Sequence, residues 1–426
     1  MNHDVTKIPV DNPLVLNLSL IFGFTFLTLI TLKKTVNDKP LSILQSNQMK
    51  GLAIIIIILF HLSIHTLAKP SDLPFFKSSG FKAVALFLIL SGFGLTISMQ
   101  KKGINNFFSK RFTKVYIPFL FAMLLEIFLN QSINNNPHIL TELYNAFFNV
   151  SILNSHMWFI VFILLWYIVI YLLFYLNLSN KSKIFLLCLV SVCILVASEP
   201  SKDSALFLCK INAFSFPLGC LLGLNYENIK PKIDRLLKQN LLIIIGIIVS
   251  CFVLSKFFGN LASALGKQGI VANYILLGII VIAVLLNLVN RQLLRKNIIE
   301  VMLALSVLVM IAINYFNLSS YYSIAVNILI NTSAILAAFA IFLLISIMLR
   351  FQVYSLFING IGDISFELYL LHGMFMYPFD FILFRGNINI TFFIYFLFIC
   401  LISMLFKKLT STIYNLTLSK LNKLEA

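Results

Sequence analysis

Lys50 and His61 lie eleven residues apart in one apolar run, Lys50-Gly-Leu-Ala-Ile-Ile-Ile-Ile-Ile-Leu-Phe-His61. On an α-helix, eleven steps of about 100° return to within about 20° of the starting face, and a rise of about 1.5 Å per residue separates the two by about 16 Å. Lys50, His61 and His65 therefore share one stripe of a helix that is otherwise Ile and Leu. An imidazole has an ordinary pKa near neutrality, so His61 can serve as a general base. Its other role would be a packing hydrogen bond to a neighbouring helix. Two further groups have chemical spacing. Ser365, Tyr369 and His372 fall at i, i+4 and i+7 of Ser365-Phe-Glu-Leu-Tyr-Leu-Leu-His372, one polar stripe with Glu367 off it. They suit either a channel wall or interhelical hydrogen bonding. Arg111 and Lys114, three apart and ahead of Pro118, could clamp a phosphate or anchor a basic loop.

The elements that must hold these residues are apolar. Of 426 residues, 60% are hydrophobic and 11% charged, with a mean hydropathy of +0.97. So few charges cannot cover an aqueous surface, and the bilayer is the main solvent. The runs are continuous rather than alternating, which predicts helices and excludes a barrel. Thirteen spans are expected: 14–32, 50–67, 80–99, 115–131, 157–176, 184–198, 206–224, 240–258, 271–289, 298–317, 323–349, 355–384 and 391–406. Those at 206–224 and 298–317 have the marks of tilt or interruption. The fold class is all-α, a polytopic transmembrane helical bundle of about 11–13 spanning helices.

The formal net charge of +17 sits in short clusters between spans, which topology and anionic lipids explain without nucleic acid. With Lys33, Lys34, Lys39 and Lys50 inside, the same side collects the loop 101–114, then Lys181, Lys183, Lys230, Lys232, Arg235 and Lys238. It also collects Arg291, Arg295, Lys296, Arg350 and the tail from Lys407. This places the N-terminus outside and the C-terminus in the cytoplasm of a multi-pass plasma-membrane protein. The first run ends in Lys33-Lys34 and follows no basic n-region, so it reads as a retained helix and not a cleaved signal. The six cysteines form no CxxC pair and suggest neither disulfide nor metal. Trp158 is expected at the outer boundary, and Glu126 inside the fourth span requires a partner. The Asn-rich outer loop 132–156 carries no strong signal.

Taken together, five motifs resemble the acyltransferase 3 family of membrane O-acyltransferases. They are Lys50 with His61, the segment Phe87-Leu-Ile-Leu-Ser91-Gly92-Phe93, the pair Arg111 and Lys114 before Pro118, His156-Met-Trp158-Phe159, and Ile364 to His372. Lys50 and Lys114 stand where the family more often has Arg, keeping the charge without the planar fork. The resemblance implies an acetyl or other acyl group passed from cytoplasmic acyl-CoA to a hydroxyl of a glycan or lipid-linked sugar. It implies His61 as the catalytic residue, either general base or transient acyl carrier. Lys50, Arg111 and Lys114 would hold the donor, and Ser365, Tyr369, His372 and Trp158 would line or support the channel. Acetyl-CoA would be a substrate, with no bound cofactor and no metal. The chain then divides into an extra N-terminal helix and linker (1–49), the acyltransferase 3-like membrane domain (50–410) and a short basic tail (411–426). A transporter or flippase is the rival class, but no repeated halves with matching broken helices are visible.

Overall fold

The computed structural model describes residues 8, 10–35, 41–66, 76, 79–134, 141, 144, 157–197, 205–265 and 319–424. The expected spans 271–289 and 298–317, most of the loop 132–156 with His156, and Lys39, Arg291, Arg295 and Lys296 lie outside the described residues. Within them the chain is helical apart from turns, one two-stranded pairing and an isolated bridge. Nine helical stretches among the described residues are long and apolar enough to cross a membrane. In hydrocarbon the backbone must satisfy its own hydrogen bonds, which is why continuous apolar runs resolve into helices. The outer faces are apolar too: Phe22, Phe185, Leu242 and Leu405 each expose more than half of their surface.

Helix α1 (Pro13–Ile30) starts behind Asn12, whose side chain accepts from the Leu14 and Val15 amides, with Pro13 at the first position where no N–H is needed. Strand β1 (Leu32–Lys34) follows. Helix α2 (Ile43–Ile64) is capped by Ser42, which accepts from the Gln45 amide. Lys50 therefore sits two turns inside this helix and does not open it. The cap lies further upstream than the apolar run because the first turns are polar. Next come α3 (Gly80–Lys102), α4 (Phe107–Arg111) and, after a single π-helical turn, α5 (Ile117–Asn134). The stretch 101–114 is thus no simple loop, and Lys110, Arg111 and Lys114 ride on helix.

Helices α6 (Trp158–Tyr175) and α7 (Asn180–Val196) are followed by the interrupted pair α8 (Ala205–Lys210) and α9 (Ser215–Leu224), where interruption was expected. The basic stretch after them forms α10 (Tyr226–Leu237), a helix with no buried residue. Helices α11 (Leu241–Leu265) and α12 (Ser319–Arg350) complete the central group, and β2 (Val353–Ser355) pairs antiparallel with β1. The expected single span 355–384 is two short helices, α13 (Leu356–Asp363) and α14 (Ser365–Met376). The break is held from outside: Asn47 Nδ2 donates to Asp363 Oδ1 at 2.6 Å, and Lys407 Nζ donates to the Asp363 carbonyl. Helix α15 (Ile388–Leu424) closes the bundle.

Small residues set the close crossings. Gly92 of α3 faces the backbone of α9, and Gly219 of α9 faces the backbone of α3 at Ile89. A Cβ at either would meet a carbonyl oxygen, so these helices approach only because the side chain is absent.

Candidate functional site

The site is organised by the crossing of α2 and α13. Gly51 lies against the Ile358 carbonyl and Gly362 against the Asn47 carbonyl, with no room for a Cβ at either. Three amide side chains in the first turns of α2 then fasten it to its neighbours. Gln45 Nε2 donates to Ser346 Oγ at 2.6 Å, and Gln48 exchanges bonds with the Ser355 backbone at 2.8 and 3.2 Å. Asn47 holds Asp363. Lys50 follows directly, fixed by a backbone that is bonded on three sides.

Lys50 borders two cavities. The wider, about 480 Å³, opens at the basic end of the bundle and takes Arg111 and Lys114 from the α4–α5 stretch, Asp363 and Glu367, and Lys407 from α15. The narrower, about 150 Å³, continues from Lys50 past Val84, Phe87, Ser91, Phe159 and Tyr167 to Ile57 and Tyr369. Lys50, Val115, Ser365 and Phe366 line both, so a charged vestibule adjoins a mostly apolar inner chamber.

Arg111 owes its placement to aromatic neighbours. Its guanidinium lies 5.9 Å from the Phe107 ring centre and 5.7 Å from that of Tyr167, positions suited to cation–π attraction. Lys114 follows in the π-turn (Phe112–Tyr116), where the Ile117 amide reaches back five residues to the Phe112 carbonyl. Pro118 explains the wide turn: it has no N–H for the Lys114 carbonyl, and its ring would clash with a regular α-turn. Such turns often mark functional sites, and this one lays Thr113, Lys114 and Val115 along the vestibule wall.

One helical turn beyond Ile57 comes His61, and one beyond Tyr369 comes His372. The two imidazoles meet edge to face, ring centres 4.9 Å apart at 85°. His372 is fully buried, and its Nδ1 lies 3.0 Å from the Leu368 carbonyl oxygen and 2.9 Å from that of Tyr369. The Tyr395 hydroxyl donates to the His372 carbonyl at 2.6 Å. His65 stacks on Tyr377 at 4.7 Å.

A family model described as an acyltransferase domain, that of the acyltransferase 3 family, matches residues 43–408. The chain belongs to this family. It is a multi-pass membrane acyltransferase, and the match runs from the first residue of α2 to just beyond Lys407. Searches of curated proteins and of solved structures each return no match.

In this acyltransferase the structure brings Lys50, Arg111 and Lys114 into one vestibule, and Ser365 and Tyr369 onto the inner chamber. It pairs His61 with His372 just past that chamber. Trp158 lines neither cavity: it is buried at the start of α6 against Phe159 and Phe162, and its neighbour Phe159 supplies the chamber wall. Glu126 is buried within α5. Lys407, Asp363 and Tyr167 were not singled out in the sequence. Lys407 reads there as one more basic residue after a span, and only its bond to Asp363 marks it out. Among the described residues, no three His, Cys, Asp or Glu side chains could hold a metal ion together.

Proposed function

We propose that this acyltransferase transfers an acetyl group from cytoplasmic acetyl-CoA to a hydroxyl of a cell-surface glycan or lipid-linked sugar, in the plasma membrane. The observation that carries the reading is the pair of adjoining cavities along α2, cation-lined at one end and mostly apolar at the other, on the side towards His61. CoA combines a phosphate-rich head with a thin arm ending in a thioester, and the two cavities suit those parts in that order. Lys50, Arg111, Lys114 and Lys407 would meet the phosphates with charge-assisted hydrogen bonds. The basic residues between spans support a cytoplasmic position for this end, with the N-terminus outside and the C-terminus inside.

The chemistry would run as follows. The acceptor hydroxyl oxygen attacks the thioester carbonyl, and its proton passes to His61. The C–S bond breaks, the CoA sulfur leaves with the electron pair and takes up a proton, and the acetyl ester remains on the acceptor. General-base assistance of this kind contributes about 10²–10⁴-fold. If His61 instead carries the acetyl group, an acetyl-imidazole forms before the acceptor arrives. The experiment is thiol release from acetyl-CoA by the protein in vesicles, with and without acceptor glycan. Release that depends on acceptor and on His61 supports the base. A burst of one thiol per protein without acceptor identifies the carrier. No release in either condition sinks the proposal.

A further inference from the structure

Helix α4 is five residues long and docks on α6 through aromatic rings. Phe107 is buried, its ring centre 5.7 Å from that of Tyr171 and 6.3 Å, edge to face, from that of Tyr167. Phe108 packs on Tyr171 at 4.4 Å. Tyr167 and Tyr171 are one helical turn apart on α6, as Phe107 and Arg111 are on α4. The two pairs face each other, and the Arg111 guanidinium comes to lie 5.7 Å over the Tyr167 ring and 5.9 Å over the Phe107 ring. Its Nε is buried and has no hydrogen-bond partner among the described residues. Arg111 lines the vestibule while Tyr167 lines the inner chamber, so this contact lies where the two cavities adjoin.

We infer that Tyr167 is a positioning residue for Arg111: its ring face holds the guanidinium at the vestibule wall, and it acts on donor binding through that cation. Two physical reasons favour a ring here. An arginine laid against two rings has already given up much of the rotamer freedom that binding a phosphate would cost an unbraced one. A ring face also attracts a cation without neutralising it, as a carboxylate would, so the full charge stays available to an anion. Tyr167 suits the task because it is buried in the middle of a spanning helix and its ring cannot swing into water.

This inference rests on the reading of Arg111 as a donor-binding residue. The test is a double-mutant cycle of wild type, Tyr167→Leu, Arg111→Ala and the two combined, with Tyr167→Phe beside it. Each is reconstituted in vesicles and checked for folding by thermal unfolding. Donor KM and kcat are read from thiol release with acetyl-CoA. We expect Tyr167→Leu to raise donor KM about fivefold, the scale of one cation–π contact, with kcat within about twofold of wild type. Tyr167→Phe keeps the ring face and should stay within about twofold of the wild-type KM. In the Arg111→Ala background Tyr167→Leu should add nothing further. Additive effects of the two substitutions, equal losses in Tyr167→Phe and Tyr167→Leu, or a wild-type KM in Tyr167→Leu would overturn the positioning role. If Tyr167→Leu does not fold, Tyr167 is replaced by pentafluorophenylalanine, which keeps the shape of phenylalanine and depletes the ring face of electrons. A donor KM above that of Tyr167→Phe then supports the role, and an equal KM overturns it. A wild-type KM in Arg111→Ala, or no thiol release by the wild type, is a failure of the donor reading and is told apart by those two samples.

Discussion

Around the vestibule, charge is carried by long side chains from separate elements: Lys50 on α2, Arg111 and Lys114 on the α4–α5 stretch, and Lys407 on α15. At the imidazole pair, two helices supply two short rings, and one of them is fixed by main-chain carbonyls. The first arrangement can adapt to a large, multiply charged ligand, because each cation reaches in independently and the loss of one leaves the others in place. The second has less slack, since one of its rings is held by carbonyls of its own helix and its main chain by Tyr395. On the proposed reading, affinity for a donor would be dispersed over the vestibule, while proton transfer would be concentrated on His61. The α2 helix joins the two, with Lys50, Ile57 and His61 following one another along a single face.

That contrast can be broken most sharply at His61. His61→Ala is expected to lower kcat by about 10²–10⁴-fold with donor KM within about twofold, measured by thiol release in vesicles. A rise in KM with kcat preserved would move the chemistry away from this residue. The joint between the regions comes next. Gly362→Ala drives a methyl into the Asn47 carbonyl, and overpacking of this kind costs about 1–3 kcal/mol. Thermal unfolding should show the loss, and retained stability would mean that α2 and α13 can separate without harm.

Smaller effects are expected in the vestibule. Arg111→Ala and Lys114→Ala should each raise donor KM about tenfold at near-constant kcat, since one charge-assisted hydrogen bond is worth about 1.5 kcal/mol. The rise should shrink as salt is added, because exposed charges are screened. A salt-independent effect, or a fall in kcat instead, would remove these cations from donor binding. The smallest change should come from Trp158→Phe. The side chain packs on Phe159 and Phe162 without reaching either cavity, so activity within about twofold of wild type is expected from a volume-reducing aromatic swap. A large kcat loss there would extend the active region to the start of α6.

Much of this arrangement is legible in the sequence because it lies along single helices. The spacing of Lys50 and His61 gives their common face, and Ser365, Tyr369 and His372 follow from the same periodicity. What joins those two stripes is not legible. The ring contact of His61 with His372 depends on how α2 packs on α14, and no local pattern encodes that distance. The break at Asp363 is hidden for a related reason. The run 355–384 is apolar enough to read as one span despite Asn359, Gly362 and Asp363, and the helix stops where Asn47 and Lys407, both distant in sequence, take the Asp363 side chain and carbonyl. The π-turn has a local cause in Pro118, but its effect on where Lys114 points appears only once α5 is packed.

The central claim is that donor binding and acyl transfer occupy different ends of one continuous passage. Ser91 lines the inner chamber from α3 and takes no part in the vestibule. A single preparation of Ser91→Trp, which fills that chamber, tests the claim when CoA affinity and acetyl transfer are measured side by side. The account predicts CoA binding within about twofold of wild type and transfer reduced by about 10²-fold or more, as the thioester can no longer reach His61. Transfer at the wild-type rate through a blocked chamber would contradict it.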